Sequence, residues 1–126
     1  NKRLFSLKEE KCWGYSDRTP DITIFNRINH GEKVIILDAK FKTMNNEVIS
    51  SDINQMHAYL DTIPNAIGAI LLYVNKAQDL EDFDIKFSRH TNENISGLEN
   101  TLELFFSGKL EWDNRFIARA YLPPPV

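Results

Sequence analysis

The sequence predicts an α/β domain in which a mixed central β-sheet is flanked by helices. Two observations lead to this class. Segments rich in β-branched and aromatic residues alternate with segments of helical periodicity, in the order strand, strand, strand, helix, strand, strand, helix. Two of the strands directly flank the first helix, and this arrangement is typical of a parallel crossover that follows an antiparallel meander.

The first part of the chain predicts three strands. Residues 3–15 alternate loosely and indicate a strand or hairpin arm, and residues 21–26 are rich in β-branched and aromatic side chains. A hairpin turn over residues 29–32 leads into a strand over residues 33–42. This strand contains the apolar run 34–37. Such a run is typical of a strand buried on both faces, so we place it in the middle of the sheet.

Residues 53–62 predict an amphipathic helix. A cluster of capping residues, 50–52, precedes it, and Pro64 follows it. Its apolar side chains recur at helical spacing on one stripe: Ile53, Met56, Leu60 and Ile63. Gln55 and Tyr59 are four residues apart and lie together on a ridge beside this stripe. If the stripe packs on the sheet, the ridge follows the edge of the sheet.

The rest of the chain predicts two further strands and a second helix. Residues 66–74 form another buried apolar strand, and residues 83–87 alternate as a half-exposed strand. Ser96 is placed to cap a helix that runs to about Gly108. The tail, residues 110–122, is compatible with a further short helix.

Composition limits the class of protein. The chain has 126 residues, 42% of them hydrophobic, which fits one domain with a real core. No apolar run is long enough to span a membrane, and no signal peptide is visible, so we expect no membrane partner. A single cysteine, Cys12, excludes a disulfide framework and suits a cytoplasmic setting. We therefore expect one domain over residues 1–126, as a C-terminal fragment of a longer cytoplasmic protein.

Three charged residues lie at informative places in the predicted sheet. Asp38 and Lys40 follow the apolar run, and they share a face because side chains alternate along a strand. Asp21 opens the neighbouring strand across a hairpin, so two carboxylates and a lysine are expected at one edge of the sheet. A D-x-K triplet at a strand end is usually only a solvated ion pair. Here it follows a buried strand, where an ionised carboxylate is costly unless paired or metal-bound.

This grouping suits a divalent metal. Mg²⁺ prefers oxygen ligands, and Asp21, Asp38 and the carbonyl of Ala39 could supply them, with Mn²⁺ as a substitute for Mg²⁺. The metal would polarise a phosphodiester and lower the pKa of a bound water. Lys40 would orient that water and stabilise the developing negative charge. Gln55, on the helix ridge, could reach the same end of the sheet. The net charge of −3 neither predicts nor excludes a nucleic-acid partner. A metal site that acts on phosphodiesters concentrates acidic residues, and the basic residues can still lie together on one face.

Taken in order, these residues resemble the PD-(D/E)XK nuclease superfamily. The residues that carry the resemblance are Pro20-Asp21, Asp38-Ala39-Lys40 and the helix pair Gln55 and Tyr59, which is similar to the Q-x-x-x-Y motif of some branches. The sequences around them are similar to the nuclease subunit of McrBC-type restriction systems. The resemblance covers residues 19–75.

The resemblance implies a restriction-endonuclease-like core and a magnesium-dependent DNA endonuclease, the catalytic module of a restriction or defence protein. It implies that Asp21 and Asp38 bind the metal and that Lys40 is the catalytic lysine. Gln55 and Tyr59 would support the site. DNA is the implied partner, together with a motor NTPase subunit by analogy. Cutting both strands of a duplex also suggests a homodimer.

Two alternatives stay open. The family core usually begins with a helix that carries a further Glu, and no such helix is visible before Leu4, although Glu9 or Glu10 could stand in. The domain could therefore be a catalytically inactive module that binds DNA or a partner subunit. It could also be a plain interaction domain with an accidental D-x-K triplet. Several scattered bases could touch a DNA backbone, but such bases are usually a solvated face: Lys76, Lys86, Arg89, Arg115 and Arg119.

Overall fold

The computed structural model describes residues 6–7, 22–28, 31–47, 50–88, 95–110 and 115–123. These ranges contain, in order, β1 (Ser6–Leu7), β2 (Ile22–Ile28), β3 (Gly31–Met44), α1 (Ser50–Thr62), β4 (Ala66–Lys76), β5 (Phe83–Ser88), α2 (Leu98–Phe106) and β6 (Phe116–Tyr121). The strands form one sheet in the order β1-β2-β3-β4-β6-β5. The mixed sheet predicted from the sequence is confirmed.

The direction of the strands divides the sheet into two parts. β1, β2 and β3 form an antiparallel meander. β3 pairs in parallel with β4, and β4 pairs in parallel with β6, while β5 closes the far edge antiparallel to β6. The unit β3-α1-β4 is the predicted parallel crossover, since α1 carries the chain from the end of β3 back to the start of β4.

Each face of the sheet is covered by one helix. On one face, Met56 and Leu60 of α1 pack against Val34 and Ile36 of β3. On the other face, Phe105 of α2 belongs to a cluster with the alternate β3 residues, Ile35 and Leu37. The apolar run of β3 is therefore buried on both faces, as predicted, and the expectation of flanking helices is confirmed.

The tail of the chain is the main correction to the predicted elements. Residues 116–121 form β6 inside the sheet, between β4 and β5, and do not form a short helix. Phe116, Ile117, Ala118 and Ala120 are each fully buried. Alanines and an arginine weaken the strand pattern of this segment in the sequence. Pairing on both sides and burial on both faces decide its conformation, because strand preference depends on context more than on the residue itself.

The predicted boundaries of the two helices also need adjustment. α1 begins at Ser50, so the predicted capping cluster forms its first turn, and the chain turns after it at Asn65, which has a φ of 66°. The residue that precedes α2 at the N-cap is Gly97 and not Ser96, and it makes no side-chain capping bond. The backbone N–H of Ser96 instead donates to Oδ1 of Asn100, 2.7 Å away. In the described part of the chain, neither helix is long and apolar enough to cross a membrane.

Candidate active site

Asp38 and Lys40 lie together on the face of β3 that α1 covers. They continue the alternation of Val34 and Ile36, which point into the core under α1. Asp38 is 6% exposed, and its Oδ2 lies 2.9 Å from Nζ of Lys40. The shared face predicted from their spacing is confirmed. The ladder with β4 shifts between Lys40 and Thr43, so regular pairing of β3 breaks directly after the lysine.

The first turns of α1 add two polar side chains to this pair. Nζ of Lys40 donates a hydrogen bond to Oε1 of Gln55, 3.1 Å away. The same nitrogen lies 3.6 Å from Oδ1 of Asp52, and Nζ of Lys42 lies 2.9 Å from the other oxygen of Asp52. The predicted reach of Gln55 to the Asp38 and Lys40 end is therefore confirmed. The geometry is an ion cluster that joins the middle of the sheet to the start of α1.

Asp52 was not among the residues that the sequence marked for the site. Its position in a run of capping residues favoured a purely local role at the helix start. It is 7% exposed, and an ionised carboxylate at that burial needs charged partners, which Lys40 and Lys42 supply. Its spacing of three residues from Gln55 was the available signal, because residues three apart lie on neighbouring parts of a helix surface.

Two opposing effects act on the pKa of Lys40. Burial lowers the pKa, but the hydrogen bond and charge of Asp38, together with the charge of Asp52, outweigh burial and hold the pKa above its ordinary value of 10.5. Lys40 is therefore a cation at neutral pH. Its ammonium group can donate hydrogen bonds to an anion that reaches this edge of the cluster.

Tyr59 occupies a different place on α1 from the one predicted. The buried residues of α1 are Asp52, Met56, Tyr59 and Leu60, whereas Ile53 and Ile63 are only partly buried. The buried stripe is thus rotated about the helix axis, and Tyr59 lies inside it, 3% exposed, and not on a ridge beside it. The rotation has a physical reason, because it lets Asp52 meet the two lysines of β3.

The remaining predicted ligands can be placed only in part. Asp21 lies outside the described residues, as do Glu9 and Glu10. Asp21 is joined to Ile22, and Ile22 pairs across the sheet with Leu37, the residue before Asp38.

The described residues offer ligand atoms of the type that a magnesium site uses. The carboxylate of Asp38 and the backbone carbonyl of Ala39 are oxygen ligands, which Mg²⁺ prefers. Within the ranges that the structure describes, no group of three or more His, Cys, Asp or Glu side chains could hold a metal ion.

The scattered bases are engaged in ion pairs, with one expectation corrected. Arg119 is 2% exposed, so the expectation that it lies on a solvated face is wrong, and so is the alternative that it touches a DNA backbone. Its guanidinium binds Asp84. The other described bases form pairs at the surface: Lys76 with Asp82, Lys86 with Asp84 and Arg115 with Asp61. Arg89 lies outside the described residues.

Comparison with known proteins relates this site to one family. The model of a family described as McrBC 5-methylcytosine restriction system component matches residues 2–74, more than half of the chain. The match includes β3 and α1, and hence Asp38, Lys40, Asp52 and Gln55. Neither the curated proteins nor the solved structures contain a match. The chain therefore belongs to the McrBC 5-methylcytosine restriction system component family.

Proposed function

We propose that the chain is the nuclease domain of its restriction system, a magnesium-dependent endodeoxyribonuclease of the PD-(D/E)XK type. The observation that carries the proposal is the meeting of Asp38, Lys40 and Gln55 at one place in the fold. These three residues belong to the D-x-K triplet and the Q-x-x-x-Y pair that resemble the nuclease superfamily. The family match also supports the proposal, because a 5-methylcytosine restriction system requires a component that cleaves DNA.

The residues of the chain would divide the chemistry as follows. Asp38, Asp21 and the carbonyl of Ala39 would hold Mg²⁺, which when bound polarises a phosphodiester and lowers the pKa of a bound water. Lys40 would orient the attacking water and donate to the negative charge that develops on the phosphate oxygens. Gln55 would hold the lysine nitrogen in place by the hydrogen bond described above. The positive end of the α1 dipole would favour an anion near the same turn.

We propose duplex DNA as the substrate of this domain. A motor NTPase subunit and a second copy of the chain are the proposed partners, the first by the McrBC relation and the second because a duplex has two strands to cut. A second candidate function is a catalytically inactive module of the same fold. It is favoured by the ion pairs of Lys40 with Asp38 and Asp52, which satisfy these charges within the domain.

Cleavage by the full-length protein tests the proposal. Duplex DNA with and without 5-methylcytosine would be incubated with Mg²⁺, with Mn²⁺ or with chelator. We expect metal-dependent cutting that Lys40→Ala and Asp38→Ala each reduce by about 100-fold or more, the scale for loss of a group that stabilises transition-state charge. Lys109→Ala is the matched control, because Lys109 is exposed and follows α2 on the opposite face of the sheet. Unchanged cutting by Lys40→Ala would contradict the assignment.

Metal binding separates the two candidates if the isolated protein does not cut. Mn²⁺ binding would be followed by its electron paramagnetic resonance signal in the wild type, Asp38→Ala and Asp21→Ala. Binding that both substitutions weaken favours a nuclease that lacks its partner subunit. A wild type that binds no Mn²⁺, alone or with DNA, favours the inactive module.

A further inference from the structure

A buried arginine lies on the same face of the sheet as the candidate site, two strands away. Leu71 of β4 pairs with Asp38 on one side and with Arg119 of β6 on the other, so the three side chains form one row under α1. Arg119 is 2% exposed and is among the largest fully buried side chains of the described residues. A guanidinium this deeply buried requires partners for its charge and its donors.

Arg119 divides its donors between two parts of the fold. Nε and Nη2 donate to the two carboxylate oxygens of Asp84 on β5, at 3.2 and 2.9 Å. Nη1 donates to the backbone carbonyl of Asn45 at 2.7 Å and to that of Glu47 at 3.4 Å. Asn45 and Glu47 follow β3 and precede α1. The arginine therefore ties the connection between the two site elements to the far side of the sheet.

We propose that Arg119 is a positioning residue for the site. By holding Asn45 and Glu47 against the sheet, it sets the place at which α1 begins, and hence the approach of Asp52 and Gln55 to Lys40. Asp84 anchors the other side of the guanidinium. The catalytic consequence of this inference rests on the proposed nuclease function, whereas the structural consequence does not.

The division of donors argues against a role in sheet stability alone. The bidentate contact with Asp84 pairs β5 with β6, but it uses only two of the five N–H donors of the guanidinium and leaves those of Nη1 to be satisfied elsewhere. The third nitrogen reaches instead to two carbonyls that lie outside regular strands and helices. A planar guanidinium spreads its donors over three nitrogens, so it can make the bidentate contact with Asp84 and reach the two carbonyls at once, whereas a lysine must make every contact from a single nitrogen.

The test combines amide hydrogen exchange with cleavage kinetics in the full-length protein. The variants are Arg119→Lys and Asp84→Asn. Arg115→Lys is the matched control, since Arg115 precedes the same strand and makes a surface pair with Asp61 at 3.7 Å. For Arg119→Lys we expect the first hydrogen-bonded amides of α1, in residues 53–56, to exchange about tenfold faster, as for loss of a charged hydrogen bond, with β4 unchanged. The value of kcat should fall by about tenfold while KM stays within about twofold.

Each outcome decides the inference. Equal acceleration of exchange in β4 and in residues 53–56 overturns it, because Arg119 would then stabilise the whole fold. Unchanged exchange in residues 53–56 overturns it as well, whatever happens to kcat. If Arg119→Lys does not fold, Asp84→Asn decides by the same criteria, since the Asp84 side chain is one-third exposed and tolerates the amide. If the wild type does not cut DNA, the metal-binding experiment above decides the proposed function, and the exchange data alone still test the positioning of α1.

Discussion

Lys40 of β3 and Gln55 of α1 are joined by a hydrogen bond of 3.1 Å from Nζ to Oε1. The same nitrogen lies 2.9 Å from Oδ2 of Asp38, so the ammonium group is held by the sheet on one side and by the helix on the other. A lysine side chain has a flexible four-carbon stem, and its charge acts at a defined point only when neighbouring groups restrict it. The position of α1 therefore decides where this charge is presented.

The substitution Gln55→Leu tests this restriction. Leucine keeps the volume and helix preference of the residue but accepts no hydrogen bond from Lys40. We expect kcat for DNA cleavage to fall by about tenfold, the scale for one hydrogen bond to a charged group, with little change in KM. Asn54→Ala is the control, since Asn54 is exposed on the same helix. Equal kinetics for Gln55→Leu and the wild type would show that Lys40 needs no acceptor from α1.

Most of the fold could be predicted from local pattern. The run at residues 34–37 and the helical periodicity of residues 53–62 are strong signals, and a buried strand and a helix lie where these patterns place them. β6 could not be predicted, because its identity depends on β4 and β5 on either side of it and not on its own residues. The segment with Arg119 at its centre is also compatible with a short helix, and the sequence does not reveal that Asp84 is the partner of its charge.

The candidate site was predictable where spacing along one element sufficed. Asp38 and Lys40 share a face by the two-residue period of a strand, and this relation holds in the structure. The rotation of α1 was not predictable to the same degree. Counting apolar residues favours a stripe through Ile53, whereas the ion pairs of Asp52 with the β3 lysines turn the helix so that Tyr59 is buried. Tertiary charge pairing of this kind leaves no periodic trace in a sequence.

Gly68 of β4 is predicted to be essential for close packing of the sheet. A Cβ at this position would meet the ring of Phe116 more closely than real Cβ atoms approach, and Phe116 is fully buried. We expect Gly68→Ala to lower the free energy of unfolding by about 1–3 kcal/mol, the range for overpacked cores. Urea denaturation measures this change. The double variant Gly68→Ala with Phe116→Leu should lose less than the sum of the two single variants, and simple additivity would argue against a direct clash.

The pair of Asp84 and Arg119 is predicted to make stability sensitive to acid. Burial raises the pKa of Asp84, but the hydrogen bond and charge of Arg119 outweigh it and hold the pKa below the ordinary 3.8. The folded state therefore favours the carboxylate. This contribution is fully present above pH 3.8 and is lost as the pH falls through the lowered folded value. In urea denaturation, the stability difference between the wild type and Asp84→Asn should be largest near neutral pH and should shrink in acid. A difference that does not change with pH would contradict the pairing.

Tyr73 of β4 pairs with Lys40 of β3 on one side and with β6 on the other. Its pKa is predicted to respond to the charges of Asp52 and Arg119 with opposite sign. Burial raises its pKa above 10.0, the charge of Asp52 raises it further, and the charges of Arg119 and Lys40 lower it. Asp52→Asn should therefore lower the pKa of Tyr73, and Arg119→Met should raise it. The tyrosinate absorbance can be titrated in both variants, with Tyr73→Phe as the background that identifies its signal. Shifts of the same sign in the two variants would mean that altered burial, and not the two charges, controls this tyrosine.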